Sequence, residues 1–223
     1  MDFFSSDETL LSGPMILPKG ADKPAKLVVF LHGYGADGND LIGLAPHFAQ
    51  VLPEAAFISP NAPQPCDINP SGRQWFPIST ITPRELNEGV ITARPELDRF
   101  LDAALKHFGL SDKDLLLVGF SQGTMMSLET ALRRDAVIAG VVGFSGALAG
   151  EDRLEEEIRS KPPVLLVHGT HDPVVPFDAM ARAEAGLTTH AVTVQTLARP
   201  GLQHGIDQEG LMAAIAFAQA KLD

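Results

Sequence analysis

Leu115-Leu116-Leu117-Val118-Gly119-Phe120-Ser121-Gln122-Gly123 leads directly into a helical segment, Thr124 to Arg134. Four apolar residues with no polar alternate read as a strand covered on both faces. Glycines two positions either side of Ser121 let the chain turn from strand to helix so tightly that the central side chain stands free. The helix then aims its first N–H groups and the positive end of its dipole at the serine, where negative charge would develop. G-x-S-x-G in this setting makes Ser121 the candidate nucleophile. Gly143-Phe144-Ser145-Gly146-Ala147 also follows an apolar run but lacks the last glycine, so Ser145 reads as an ordinary loop serine.

Similar apolar runs recur at Leu27 to Leu31, Ala55 to Ser59, Val137 to Phe144, Val164 to Val167 and Ala191 to Leu197. Helical spacing separates them. It spans Leu86 to Phe108, where Pro95 predicts a kink or a late start, then Thr124 to Arg134, Pro176 to Ala185 and Ile206 to Leu222. The arginines closing the second of these suit the negative end of a helix dipole. Strand–helix alternation over the whole length predicts the α/β class, a mostly parallel central sheet flanked by helices. With no repeat or linker, the chain reads as a single domain over residues 1–223. One stretch breaks the rhythm: residues 60–83 hold six prolines, the lone tryptophan and no periodicity, which predicts a long loop that is functional or mobile.

Composition narrows the function classes. With 17 Lys+Arg against 28 Asp+Glu the formal net charge is −11, which argues against nucleic acid and against stable docking on anionic membranes. The acidic N-terminus lacks the basic start of a signal peptide, and no apolar run is long enough to span a bilayer, so a cytoplasmic protein is expected. A single cysteine, Cys66, excludes an internal disulfide, and with nothing basic beside it the thiol reads as inert. Charge and length leave monomer and homodimer equally open, and the apolar Phe3-Phe4 pair is a candidate docking element.

A serine hydroxyl needs a base to take its proton, and the base needs an orienting acid. On α/β folds with this elbow they follow in the order Ser, acid, His on loops at the C-terminal edge of the sheet. After Val164 to Val167 comes His168-Gly169-Thr170-His171-Asp172-Pro173, where Asp172 takes the acid's place. His204 lies in the loop before the last helix, where the base belongs. His171 competes, but a neighbour in sequence seldom points the same way as Asp172. His32 and His168, at strand ends, read as structural hydrogen-bonding residues. His168-x-x-His171-Asp172 has no second ligand cluster, so no metal is expected, and the chemistry calls for no organic cofactor. The Gln122 N–H is one candidate donor to an oxyanion. The second is expected from the loop His32-Gly33-Tyr34-Gly35, whose glycines allow close backbone approach.

Phe30-Leu31-His32-Gly33-Tyr34-Gly35, Gly119-Phe120-Ser121-Gln122-Gly123 and His168-Gly169-x-x-Asp172-Pro173-Val174-Val175-Pro176, in this order, resemble the phospholipase/carboxylesterase family. These are small α/β-hydrolases that include the acyl-protein thioesterases. The resemblance implies an α/β-hydrolase fold without a large cap domain. It also implies Ser121, Asp172 and His204 as a triad, with backbone N–H groups of Tyr34 and Gln122 as the oxyanion hole. Three positions depart from the family's pattern. Tyr34 replaces an aliphatic residue, Pro77 an acidic one, and Thr124 a third glycine after the elbow. For Trp75 and Phe76 two readings stand open, core packing or the lining of an acyl cleft; with Val174 they are the candidate substrate-contacting residues.

The function implied is hydrolysis of carboxylic esters, extending to thioesters or lysophospholipids, through an acyl-serine intermediate, with a small-molecule acyl ester or thioester as the partner. Two alternatives stand beside it. One is a dienelactone-hydrolase-like or peptidase relative, the former typically with cysteine at the elbow. The other is a non-catalytic binding module, which would be expected to carry a broken triad.

Overall fold

Leu27, Val29 and Leu31 bury their side chains on one side of a strand, and Val28 and Phe30 on the other; none of the five is exposed. A strand apolar on both faces needs cover on both, and it has it in the computed structural model, which describes residues 2–3 (as backbone), 10–20 and 23–223. The elements are, in order, β1 (Asp2–Phe3), β2 (Gly13–Ile16), β3 (Lys26–Leu31), α1 (Gly38–Ile42), α2 (Ala45–Phe48), β4 (Ala55–Ile58), β5 (Gln64–Pro65), β6 (Arg73–Gln74) and α3 (Pro83–Phe108). There follow β7 (Leu115–Phe120), α4 (Gln122–Arg133), β8 (Gly140–Phe144), α5 (Leu154–Glu157), β9 (Val164–Gly169), α6 (Asp178–Thr189), β10 (Val194–Arg199) and α7 (Gln208–Leu222).

Among the described residues eight strands form one sheet in the order β1-β2-β4-β3-β7-β8-β9-β10. From β4 to β10 every neighbour is parallel, and β2 joins β4, and β1 joins β2, antiparallel. One core layer packs α3, α4 and α6 on the face carrying Leu117 and Val141; the other packs α1, α2 and α7 on the face carrying Val118 and Phe144. β3 has β4 on one side and β7 on the other. The chain therefore reverses its winding between β3 and β7, and the C-terminal ends of these two strands open the crevice in which such sheets bind ligands.

Four differences from the sequence expectation stand out. First, α3 begins at Pro83 and runs unbroken through Pro95. Thr82 caps it, its hydroxyl accepting the Glu85 N–H at 3.2 Å, and Pro83 stands at a position whose N–H a helix does not use. Pro95 deprives only the Ile91 carbonyl of a donor, and Ile91 is exposed, so water can serve it. Second, the last strand starts at Val194, because Ala191 sits at φ 59° in a turn that no strand residue adopts. Third, β8 starts at Gly140, three residues later than the apolar run. Fourth, residues 60–83 have structure of their own. Gln64–Pro65 pairs antiparallel with Arg73–Gln74, and Glu85 takes the N–H and hydroxyl groups of Ser79 and Thr80. Those hydrogen bonds hold the Glu85 carboxyl down to about 2. Phe4 and the Phe3 side chain lie outside the described residues.

Candidate active site

The elbow shows why its glycines are needed. Ser121 sits at φ 53°, ψ −115°, outside the regions an L-residue normally occupies, at a cost of about 1–3 kcal/mol. A Cβ on Gly119 would lie 2.4 Å from the Gly123 carbonyl oxygen, and one on Gly123 would lie 1.8 Å from that of Leu31. The turn is held in register from outside, since the Ser121 N–H donates to the Phe144 carbonyl at 2.9 Å. Thr124 fits where a third glycine is the family's habit because its neighbours are glycines: Cβ positions on Gly143 and Gly146 would fall within 2.4–2.5 Å of its side chain. Its hydroxyl lies 2.9 Å from both the Gly119 and Phe144 carbonyl oxygens, tying the first turn of α4 to the ends of β7 and β8. Ser145 is also buried at positive φ, but no helix follows it directly.

The loops after β9 and β10 bring Asp172 and His204 together. His204 Nδ1 lies 2.8 Å from Asp172 Oδ2, and the imidazole rests against Phe120, the residue before Ser121, with ring centroids 4.8 Å apart. The Asp172 side chain has no exposed surface, and its other oxygen accepts the Val174 and Val175 N–H groups at 2.8 and 3.0 Å. Burial alone would raise this carboxyl. The His204 hydrogen bond and the two backbone donors outweigh it and hold the group below its ordinary value. An ionised carboxylate only accepts, so His204 Nδ1 is the donor in this contact. His168 is buried, its Nε2 2.9 Å from the Val175 carbonyl oxygen and 3.3 Å from Asp172 Oδ2. His171 is exposed and pairs with the Thr170 hydroxyl.

Gln122 is the first residue of α4, so its N–H is one of those a helix leaves without an internal partner. The loop after β3 closes on the same point, a Cβ on Gly33 lying 3.4 Å from Ser121 Cβ. Tyr34 follows, and its loop is fastened to the 60–83 segment: Gly35 N–H to the Arg73 carbonyl at 2.9 Å, Arg73 N–H to the Ala36 carbonyl at 2.7 Å, Asn69 Nδ2 to the Gly35 carbonyl at 2.8 Å. His32 is buried with Nδ1 2.8 Å from the Gly33 carbonyl oxygen, while Nε2 accepts the Ala62 N–H at 3.0 Å. That pair of contacts fixes the neutral tautomer, and burial lowers the group's pKa.

Trp75 and Phe76 are 1% exposed, in the core beneath the elbow. Val174, at 47%, is open to solvent beside Asp172. Sequence reasoning missed the role of the Gln122 side chain. Its Oε1 accepts the Trp75 N–H at 2.9 Å and its Nε2 donates to the Phe76 carbonyl at 2.8 Å. The partners are backbone groups 47 and 46 residues away, which no spacing rule reveals. Among the described residues no helix is long and apolar enough to cross a membrane.

Comparison with known proteins agrees with this architecture. Esterase YpfH of Escherichia coli is 29% identical over 195 residues, 87% of this chain and 82% of that protein. Acyl-protein thioesterase 1 of Schizosaccharomyces pombe is 30% identical over 202 residues, 86% of this chain and 89% of that protein. The crystal structure of esterase PE8 superimposes with a TM-score of 0.92 at 41% identity, over 96% of this chain and all of that one. The sheet and its flanking helices are those of the α/β-hydrolase fold. The profile of the Phospholipase/Carboxylesterase family matches residues 14–222, and the chain belongs to that family.

Proposed function

We propose that this protein is a serine carboxylesterase that hydrolyses carboxylic esters, with thioesters and lysophospholipids within its chemical reach, through an acyl-enzyme on Ser121. The observation that carries the reading is the 2.8 Å contact of His204 Nδ1 with the enclosed Asp172 carboxylate, on loops beside a serine held at positive φ at the head of a helix. Relatives named esterase and acyl-protein thioesterase support the same class of reaction.

Ser121 Oγ attacks the acyl carbon as its proton moves to His204 Nε2. The carbonyl electron pair moves onto oxygen, which the Gln122 and Tyr34 N–H groups receive. The tetrahedral adduct collapses, breaking the bond to the leaving alkoxide or thiolate, which takes the proton back from His204. Water then repeats the sequence on the acyl-serine, releasing the acid and restoring the hydroxyl. Asp172 holds the imidazole in the required tautomer throughout. No step calls on a metal or organic cofactor, and the substrate is a small-molecule acyl ester or thioester. Of the candidate substrate-contacting residues, the exposed Val174 is the one whose placement suits contact with an acyl group.

Labelling with a fluorophosphonate and hydrolysis of p-nitrophenyl butyrate test this. The native protein should label and turn over, and Ser121→Ala should do neither while keeping its fold. Turnover retained by the alanine variant would refute the assignment.

A further inference from the structure

The two proposed oxyanion donors belong to different segments, Tyr34 to the loop after β3 and Gln122 to the first turn of α4, so the distance between them must be set by something that joins those segments. Strand pairing does part of this: β3 and β7 are neighbours, with Leu31 opposite Gly119. Beyond the last paired residues, the connection is made by side chains. The Gln122 amide grips the backbone of Trp75 and Phe76, 2.9 Å to one N–H and 2.8 Å to one carbonyl. The Trp75 indole Nε1–H then donates to the His32 carbonyl at 3.0 Å, at the root of the loop that carries Tyr34. Gln122 and His32 are 0% exposed and Trp75 is 1%, so water does not compete for any of these bonds.

We infer that Trp75, gripped by the Gln122 side chain and bonded through its indole N–H to the His32 carbonyl, is a positioning residue that sets the spacing of the Tyr34 and Gln122 oxyanion donors. The inference rests on the proposed serine-hydrolase reading. It gives Trp75 a role distinct from contact with the acyl chain, in which the indole nitrogen matters and the size of the ring alone does not. A buried ring that only filled space would leave the nitrogen free to be any atom. Here the nitrogen is the one polar atom of the side chain, and its proton is directed at the residue where the oxyanion loop begins.

Geometry of this kind acts on the transition state. A donor is useful at the place the oxyanion will occupy, and removing one outright costs on the order of 10²–10³ in kcat. Displacing a donor by a fraction of an ångström should cost less, about tenfold, with KM little changed because the substrate carbonyl in the ground state demands less of the hole.

The test replaces the indole N–H by sulfur through incorporation of 3-benzothienylalanine at position 75, which preserves the ring's shape, alongside Trp75→Phe. Three readouts are taken: kcat and KM for p-nitrophenyl butyrate, the inhibition constant of a trifluoromethyl ketone of matching acyl length, whose adduct carries the oxyanion, and Tm. The inference expects the benzothienyl protein to keep a Tm near the native one and to lose kcat and ketone affinity in parallel by about tenfold, with KM within about twofold. Native kcat and ketone affinity in the benzothienyl protein would overturn it, as would a rise in KM with kcat unchanged, which would mark Trp75 as a substrate contact. Failure of the underlying reading looks different: the native protein itself would neither turn over the ester nor bind the ketone in a manner dependent on Ser121.

Discussion

Replacing Gln122 by glutamate changes one NH2 to O at a site with no access to water. In the native protein the amide presents an acceptor to the Trp75 N–H and a donor to the Phe76 carbonyl. A neutral carboxylic acid repeats that pattern, its hydroxyl donating to the Phe76 oxygen. An ionised one sets a buried negative oxygen against a carbonyl about 2.8 Å away, and the two groups that the side chain grips are both uncharged backbone. The folded state therefore holds the introduced carboxyl neutral, raising its pKa above the unfolded value of about 4.3. By linkage, stability relative to the native protein is kept below the unfolded pKa and lost as pH rises towards the folded one. Each pH unit between them is worth about 1.36 kcal/mol, so a side chain still neutral at pH 7 costs about 3.7 kcal/mol there and close to nothing at pH 4. For a chain of this size that corresponds to a Tm about 7–15 °C below the native protein at pH 7. Thermal unfolding of Gln122→Glu and native protein in parallel, from pH 4 to pH 8, measures the difference directly. A gap that stays flat across that range would refute the reasoning, because it would mean that the position is hydrated and the amide clamps nothing.

Two further expectations concern the elbow and the base. Gly123→Ala places a methyl 1.8 Å from the Leu31 carbonyl oxygen and should prevent the native fold, whereas Gly201→Ala, at φ 76° with nothing within 4 Å, should cost only about 1 kcal/mol of backbone strain; circular dichroism melts separate the two. His204→Ala should lower ester turnover by about 10³-fold or more, while His171→Ala, removing an exposed ring paired with Thr170, should leave most of it; the reverse order in a p-nitrophenyl butyrate assay would reassign the base.

The parallel strands were legible because burial on both faces writes itself into sequence as unbroken apolar runs, as in Leu27 to Leu31. The edge strand Val194–Arg199 was misplaced by three residues for the opposite reason: none of its residues is fully buried, and no run marks where it begins. The late start allowed for at Pro95 did not occur because a proline's damage depends on which carbonyl it orphans, and the exposure of Ile91 is a tertiary fact. The short helices after β3 and the β5–β6 ladder went unseen because they are fixed by contacts, such as Gly38 N–H to the Asn61 side chain, and not by periodicity. At the candidate site, elbow chemistry and chain order were enough to propose Ser121, Asp172 and His204, and the structure puts Asp172 and His204 in contact. The placement of Trp75 could not be read this way. Core packing and an acyl wall ask for the same apolar ring, and only the partners of its nitrogen and its backbone tell them apart.

The chain contains one tryptophan and one tyrosine, and both lie at this site. Trp75 is bonded to His32, and Tyr34 buries its hydroxyl in the same loop system, where burial, followed by the Cys66 thiol, raises its pKa. Near-ultraviolet absorption and fluorescence therefore arise almost wholly from the two residues that flank the proposed oxyanion hole, the remaining aromatics being weakly absorbing phenylalanines. The protein is its own site-specific optical probe. Acylation, inhibitor binding or loosening of the oxyanion loop should therefore change the intrinsic fluorescence of the unlabelled native chain.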